Sequence, residues 1–426
     1  MLDIRRLRQE PDTVKAALAK RDPDLPEAVD RILARDVERR DALTRVNDLK
    51  AQRNEASKKV AELRRDGGDA EELIARTRAV GVEIARLDET VRGCDEEIQG
   101  ALLLMPNTPL DDVPVGAEEA NQVVAEWGET PGVGFTRVPH WDVGQRLGIL
   151  DLAAGARLSG SGFPVLRGSG ARLQRGLINF FLDVHTTENG YTELRVPYLV
   201  THQSMVGTGQ LPKFADESYQ TERDDLWLIP TAEVPVTNLH RDEILTLEEL
   251  PLRYTAYTPC FRREAGAAGK DTRGLLRVHQ FDKVELVRYE LPERSPQALE
   301  ELTREAEALL QRLGLRHRRV VLATGDLGIG GAKTYDLEVW APGVGQWLEV
   351  SSCTTFTDYQ ARRANLRFRR QQSEKPEYVH TLNGSALALP RVVAALLETY
   401  QQEDGSVSLP EALHQYVGTD RLTAEP

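Results

Sequence analysis

Cysteine is scarce. The 426 residues include three, Cys94, Cys260 and Cys353, far apart and in no C-x-x-C pairing. That excludes a disulfide framework and a cysteine-rich zinc site. Long apolar runs are missing too: none approaches the ~20 residues needed to cross a bilayer. The N-terminal MLDIRRLRQEPDTV lacks the apolar core of a secretion signal. The cytoplasm is therefore the expected compartment, with no membrane partner. No G-x-x-x-x-G-K-S/T and no G-x-G-x-x-G between a strand and a helix occur, which excludes the P-loop and the dinucleotide fingerprint. GDLGIGG, 325–331, matches neither spacing and reads as a loop. Positive charge is in deficit, with a net charge of −13. Such a chain does not hold nucleic acid by its overall field, so a nucleic-acid ligand requires a local basic surface.

Proline is absent from residues 28 to 100, between Pro23 and Pro26 on one side and Pro106 and Pro109 on the other. Within that span Leu73, Thr77, Val80, Ile84, Leu87, Val91, Cys94 and Ile98 recur at alternating spacings of four and three. This is the a/d seam of a coiled coil. A weaker seam, Val46, Leu49, Arg53, Ala56, Val60 and Leu63, precedes it. Gly67 and Gly68 stand between the two and let the chain reverse. The pattern predicts two antiparallel helices of about 35 residues, roughly 50 Å long each. Such a hairpin alone is as compatible with a spacer or dimerisation element as with a binding arm. Charge separates the two halves. Residues 31–65 hold 11 Lys/Arg against 6 Asp/Glu, whereas residues 66–100 hold 4 against 10. Pairing between helices absorbs part of this. Arg39, Arg40, Arg45, Lys50, Arg53, Lys58, Lys59, Arg64 and Arg65 exceed what pairing needs, and make the outgoing helix a local basic track.

Residues 101–135 are rich in Pro, Gly and Asn and read as a linker. From 136 onward the texture is mixed. RLQRGLINFFLDVHTTE, 172–188, and residues 296–313 have helical spacing, as does the closing RVVAALLETYQQ. Strand-like runs follow one another without intervening helices: RYTAYTPCFRRE, RVHQFDKVELVRYE, TYDLEVWAPG, QWLEVSSCTTF and HTLNGSALAL. The fold class expected is α+β, with a helical hairpin arm and a mainly antiparallel sheet flanked by helices.

Three stretches put charge where strand cores prefer apolar residues. In the first, Arg262 and Glu264 lie two apart, on one side of an expected strand, and Phe281 follows beyond a Gly/Ala-rich loop. An arginine can meet a phosphate, a carboxylate can accept from an exocyclic amine, and an aromatic ring can stack on a base. A surface hairpin with a salt bridge explains the same residues. In the second, Glu349 and Ser352 offer hard oxygens suited to Mg²⁺, or form an exposed strand end. In the third, Asn383-Gly384-Ser385 leads to Pro390-Arg391 at a helix start, where an anion is welcome, although an ordinary strand-to-helix turn has the same pattern. Together the three suit nucleotide binding without a P-loop.

TPCFRREAGAAGKDTRGLLRVHQFDKVEL resembles motif 2 of the class II aminoacyl-tRNA synthetases, NGSALALPRVVAALLE their motif 3, and GLINFFLDVHTTENGYTELRVPYLV their motif 1, with Pro197 at its proline. SMVGTGQLPKF, Thr231-Ala232-Glu233, HQFDKVE, EVSSC and the hairpin with LKAQRNEASKKV are similar to the seryl-tRNA synthetases, and the resemblance covers essentially the whole chain. It implies a tRNA-binding domain over 1–100, a linker over 101–135 and a catalytic domain over 136–426. The implied reaction activates L-serine with ATP and Mg²⁺, without zinc, and transfers it to tRNA(Ser), and to tRNA(Sec) where that exists. By resemblance Arg262 holds the α-phosphate and the serine carboxylate, Glu264 reads the adenine amine and Phe281 stacks on adenine. Arg391 holds the γ-phosphate. Arg263, Val350 and Ser351 belong to the ATP site, and Glu349 and Ser352 would hold Mg²⁺. Thr231, Ala232, Glu233, Glu285, Asn383 and Ser385 surround serine. A homodimer through the motif 1 segment is implied as well. Three departures stand out: Gly162 where an arginine is expected, Pro390 where the family has a small residue, and Thr354-Thr355 after Cys353. The rival readings are a synthetase-like ligase acting on a non-tRNA carrier, whose known kind lacks the long arm, and a noncatalytic homologue. Arg262, Glu264, Glu349 and Arg391 speak against the latter.

Overall fold

The computed structural model describes residues 1–265 and 273–424. Most of the Gly/Ala-rich loop anticipated after Glu264 lies outside the described residues. The chain divides into two compact units, one of residues 2–106 and the other of residues 107–426 together with Met1.

The first unit is a long helical hairpin preceded by two short helices, Ile4–Gln9 and Pro11–Ala19. Helix α1, Leu25–Arg65, and helix α2, Glu71–Leu104, run antiparallel and are joined at Gly67, whose φ of +75° is the left-handed turn that glycine takes without strain. Val46, Leu49 and Ile84 are buried between the helices, with Val80 and Leu87 packed against them. Toward the tip the seam thins, and Leu63 is exposed. Arg35 with Glu97, Arg39 with Asp95 and Lys50 with Asp88 cross from one helix to the other.

The second unit is built on an eight-stranded sheet. In chain order its strands are β1 Gln122–Trp127, β2 Thr192–Glu193, β3 Leu252–Phe261, β4 Gln280–Glu290, β5 His317–Val321, β6 Lys333–Ala341, β7 Gln346–Thr357 and β8 His380–Ala388. They lie side by side as β1-β5-β6-β7-β8-β4-β3-β2, and every pairing is antiparallel except β2 with β3. The helices that matter for the site are α3 His140–Arg146, α4 Gly168–Thr187, α5 Ser295–Arg312 and α6 Leu389–Thr399. Leu299, Leu302, Ala306, Leu309 and Leu310 recur on one stripe of α5, and with Leu173, Leu177 and Phe181 of α4 they bury one face of the sheet. Strand alternation then decides what faces the other way. On β4, Val284 and Leu286 join this helical core, so Phe281, Lys283 and Glu285 point to the opposite face.

The stretch 101–135 differs from a plain linker. Its first residues complete α2, and Gln122–Trp127 is an edge strand exposed along its whole length. With no buried face it carries no alternation to read. Asn107 already belongs to the second unit, where its amide donates to the carbonyls of Gly330 (3.0 Å) and Phe356 (2.9 Å).

Candidate active site

The face of the sheet opposite α4 and α5 holds a cavity of about 780 Å³. Its lining gathers residues from all three charged stretches: Arg262, Glu264, Phe281, Glu349, Val350, Ser352 and Arg391, together with Thr231, Glu233, Glu285, Asn383 and Ser385. Three further residues expected at the site do not line it. Ala232 is buried in an apolar cluster, Arg263 points out to the Asp216 carbonyl at 3.0 Å, and Ser351 turns inward to the Ser385 carbonyl at 2.5 Å.

One end of the cavity is a buried polar cluster. The Lys283 ammonium donates to Thr231 Oγ1 at 2.8 Å and pairs with the Glu285 carboxylate. Thr231 (3.4 Å) and Ser385 (3.5 Å) donate long bonds to the same oxygen, Glu285 Oε2. Glu285 and Ser385 are direct register partners across β4 and β8, which is why they meet. Glu233 begins a short helix, Glu233–Thr237, and accepts from Gln360 Nε2 at 2.6 Å. Burial, and then the neighbouring Glu285 carboxylate, push the Glu233 carboxyl up to about 7, while Lys283 opposes the shift.

The other end is cationic and aromatic. The Arg262 guanidinium stands 5.3 Å from the Phe281 ring centroid; Arg262 directly follows the end of β3, where Cys260 pairs with Phe281 of β4. Strand alternation is not what places Arg262 and Glu264. β3 ends at Phe261, and Glu264 lies beyond it at φ +51°. In place of the anticipated shared strand face, Glu264 pairs with Arg277 at 2.6 Å. Arg391, in the first turn of α6, donates to the carbonyls of Leu276 (3.0 Å) and Glu349 (2.8 Å).

Glu349 and Ser352 are three residues apart, a spacing that puts side chains on opposite faces of a regular strand. A bulge corrects this. Ser351 pairs with Leu337 but Glu349 with Glu338, so Val350 is an extra residue and both oxygens reach the cavity. Asp336, opposite Ser352 on β6, is partly buried, and its carboxyl is held well above the usual range by desolvation first and then by Glu349. Its Oδ1 has no hydrogen-bond partner.

Sequence reasoning missed Arg277, Val278, Lys283 and Asp336, all of which line the cavity. Lys283 was legible, being two residues from both Phe281 and Glu285 on one strand. The departures have local explanations. Gly162 has φ +81°, and a Cβ there would approach His279 Cδ2 to 2.5 Å, so a side chain does not fit this backbone. Pro390 lies at the start of α6, where its missing N–H costs nothing. Thr354 and Thr355 bond Thr334 (2.9 Å) and Ser295 (3.0 Å).

An antiparallel sheet with this arginine, carboxylate and aromatic arrangement is the core of a class II aminoacyl-tRNA synthetase. The family model described as tRNA synthetase class II core domain (G, H, P, S and T) matches residues 214–400, and that of the seryl-tRNA synthetase N-terminal domain matches residues 1–109. The serine--tRNA ligase of Gemmatimonas aurantiaca is 60% identical over 339 residues, 80% of each chain. That of Geobacillus thermodenitrificans is 55% identical over 419 residues, 98% of this chain and 99% of the relative. The crystal structure of seryl-tRNA synthetase from Pyrococcus horikoshii complexed with ATP superposes with a TM-score of 0.94 at 39% identity, covering all of both chains. The chain belongs to the seryl-tRNA synthetase family.

Proposed function

We propose that the chain activates L-serine with ATP in this cavity and transfers the seryl group to the 3′ end of tRNA(Ser). The observation that carries this reading is the division of one cavity into two chemically distinct ends. The buried hydroxyl and carboxylate cluster of Thr231, Glu285 and Ser385 suits a small hydroxyl-bearing amino acid. The end formed by Arg262, Phe281, Glu264 and Arg391 suits a nucleoside triphosphate.

In the first step a serine carboxylate oxygen forms a bond to the α-phosphorus, and the bond from that phosphorus to the bridging oxygen breaks. Seryl-adenylate and pyrophosphate result. In the second, a ribose hydroxyl of the tRNA attacks the seryl carbonyl carbon and AMP leaves. Neither step requires a protein nucleophile. Arg262, at the cationic end, would bind the α-phosphate and the serine carboxylate joined to it, so its contribution is alignment and charge neutralisation. Phe281 and Glu264 would hold adenine, and Arg391 the far phosphates. Glu285, once committed to the serine hydroxyl, would lose that partner with alanine, which supports strong discrimination.

Mg²⁺ fits beside Glu349, Ser352 and Asp336: the donors are hard oxygens, and Asp336 Oδ1 is buried without a partner. Among the described residues no three carboxylate, histidine or cysteine side chains form a complete ligand cluster, so the nucleotide's own phosphates would complete the shell. When bound, the ion would neutralise phosphate charge. The motif 1 segment, α4 with Thr192–Glu193 and Leu199–Thr201, is the surface we assign to a homodimer. No described helix is long and apolar enough to cross a membrane, and we place the activity in the cytoplasm.

Amino-acid-dependent ATP–pyrophosphate exchange across all twenty amino acids tests the reading. Exchange with serine alone is expected. Exchange with none refutes the enzyme, and exchange without tRNA charging favours a different acceptor.

A further inference from the structure

Helix α3 opens with His140, whose imidazole is completely buried and lies outside the cavity lining. Its Nδ1 is 2.7 Å from Glu398 Oε1, which also accepts from the His140 backbone N–H at 2.9 Å. Glu398 Oε2 accepts from the backbone N–H groups of Gly343 (2.7 Å) and Val344 (3.1 Å). A carboxylate so engaged accepts only, which places the imidazole proton on Nδ1. Nε2 is then an acceptor, and the N–H of Leu275 donates to it at 3.0 Å.

The next residue on α3 touches the same segment. The Trp141 ring lies 4.6 Å from the Arg273 guanidinium. Gly274, at φ +69°, is pressed against both side chains; a Cβ there would come within 2.3 Å of His140 Nε2 and 2.7 Å of Trp141 Cε3. Immediately after Leu275, the carbonyl of Leu276 receives Arg391 Nε. Arg391 and Glu398 are both on α6, seven residues or two turns apart, about 10 Å along its axis. One helix therefore grips two consecutive residues of the segment, directly from Arg391 and through His140 from Glu398. Leu275, Leu276, Arg277 and Val278 all line the cavity.

We propose that His140, oriented by Glu398, is a positioning residue for the nucleotide end of the site: with Trp141 it latches residues 273–276 so that Arg277 and Arg391 are held ready for phosphate. This rests on the ATP reading above. It needs no contact between His140 and any substrate.

The two amide substitutions separate latch from packing. His140→Gln places an acceptor near the Nε2 position and keeps the bond from Leu275. His140→Asn keeps a donor toward Glu398 but stops short of Leu275. In the full-length protein, His140→Asn is expected to raise the ATP KM about tenfold, the effect of one lost hydrogen bond. His140→Gln should stay within about threefold of the wild type, and both should leave the serine KM unmoved. Equal ATP KM for the two, in proteins with the wild-type circular dichroism and thermal midpoint, overturns the proposal. If neither variant folds, Trp141→Leu should raise the ATP KM about threefold, the weaker loss of a cation–π contact; an unchanged value there also overturns it. Calorimetric titration of each protein with ATP reads the latch without turnover, so absence of serine-dependent exchange in the wild type would count against the catalytic reading and leave the latch testable.

Discussion

Arg277 Nη1 donates to Glu264 Oε2 across 2.6 Å, joining the two sides of a segment whose middle lies outside the described residues. Both side chains are partly buried and both line the cavity. A charge-assisted bond of this kind is stronger than a neutral one and fixes orientation. Glu264 retains a second carboxylate oxygen for an adenine amine, so the ion pair would orient the base reader. Single substitutions Glu264→Ala and Arg277→Ala should each lower kcat/KM for ATP, and the double variant should lose less than the two losses added. A coupling of about 1–2 kcal/mol is expected from residues in direct contact. Strict additivity in that cycle would show that the pair does not act as a unit.

How much of this was readable beforehand depends on range. The alternation in HQFDKVEL sets Phe281 and Glu285 on one face because both sides of β4 are used and their chemistry differs. The Glu349 and Ser352 pair was recognisable as residues, but its shared face depends on the single extra residue Val350, which periodicity does not show. β5, HRRVV, does not read as a strand because Arg318 and Arg319 look like surface residues. In the sheet Arg318 pairs with Glu338, and Arg319 with Glu307 of α5. YTELRVPYLV alternates like one strand but forms two short ones, Thr192–Glu193 and Leu199–Thr201, with Pro197 between them. The His140, Glu398 and Leu275 contacts join positions more than a hundred residues apart, where only the fold brings them together.

Gly384 shows how tightly the serine end is built. It lies on β8 opposite Cys353, between Asn383 and Ser385. A Cβ there would meet Leu302 Cδ2 at 2.5 Å and Cys353 Sγ at 2.8 Å. Gly384→Ala should therefore overpack the junction of α5 with the sheet at a cost of about 1–3 kcal/mol. Relief by displacing β8 would move Ser385 away from Glu285. The expected result is a lower thermal midpoint and a raised serine KM with a smaller change in the ATP KM. An unchanged midpoint would mean that the sheet yields at no cost.

The Glu233 carboxyl, pushed up to about 7 by burial and by Glu285, predicts a pH dependence. We assign Glu233 to the serine ammonium, which binds the ionised carboxylate. Below pH 7 Glu233 holds its proton and serine must displace it, so the serine KM should rise about tenfold per pH unit of acidification and level off above 7. Glu233→Gln should flatten the profile and keep the KM high throughout. The sign for stability is opposite. The folded state keeps a proton that the unfolded state releases from about pH 4.5 upward, so this group's contribution falls as pH rises from 4.5 to 7. Serine KM measured from pH 5.5 to 8.5 at saturating ATP decides; a flat wild-type profile rejects the assignment.

The basic track of α1 divides into two parts with different expected roles. Toward the base, Arg39 and Arg40 surround the buried Asp36, while Lys50 pairs with Asp88 across the hairpin. Toward the tip, Lys58, Arg64 and Arg65 are exposed, and no carboxylate partner is found for them among the described residues. Lys59 pairs with Glu55 of its own helix. Phosphate contacts should therefore come from the tip. Replacing Lys58, Arg64 and Arg65 by alanine should raise the KM for tRNA and flatten the dependence of log kcat/KM on log salt by about two to three, since each lost contact removes roughly 0.7–0.9 of slope. Pyrophosphate exchange without tRNA should be unaffected. Arg39→Ala should instead loosen the hairpin by about 1–3 kcal/mol, since it removes a partner of the buried Asp36 carboxylate, with a smaller effect on the salt slope. If the tip variant keeps the wild-type slope while Arg39→Ala reduces it, the phosphate contacts lie at the base of α1, and the exposed tip cations serve only to keep the arm solvated.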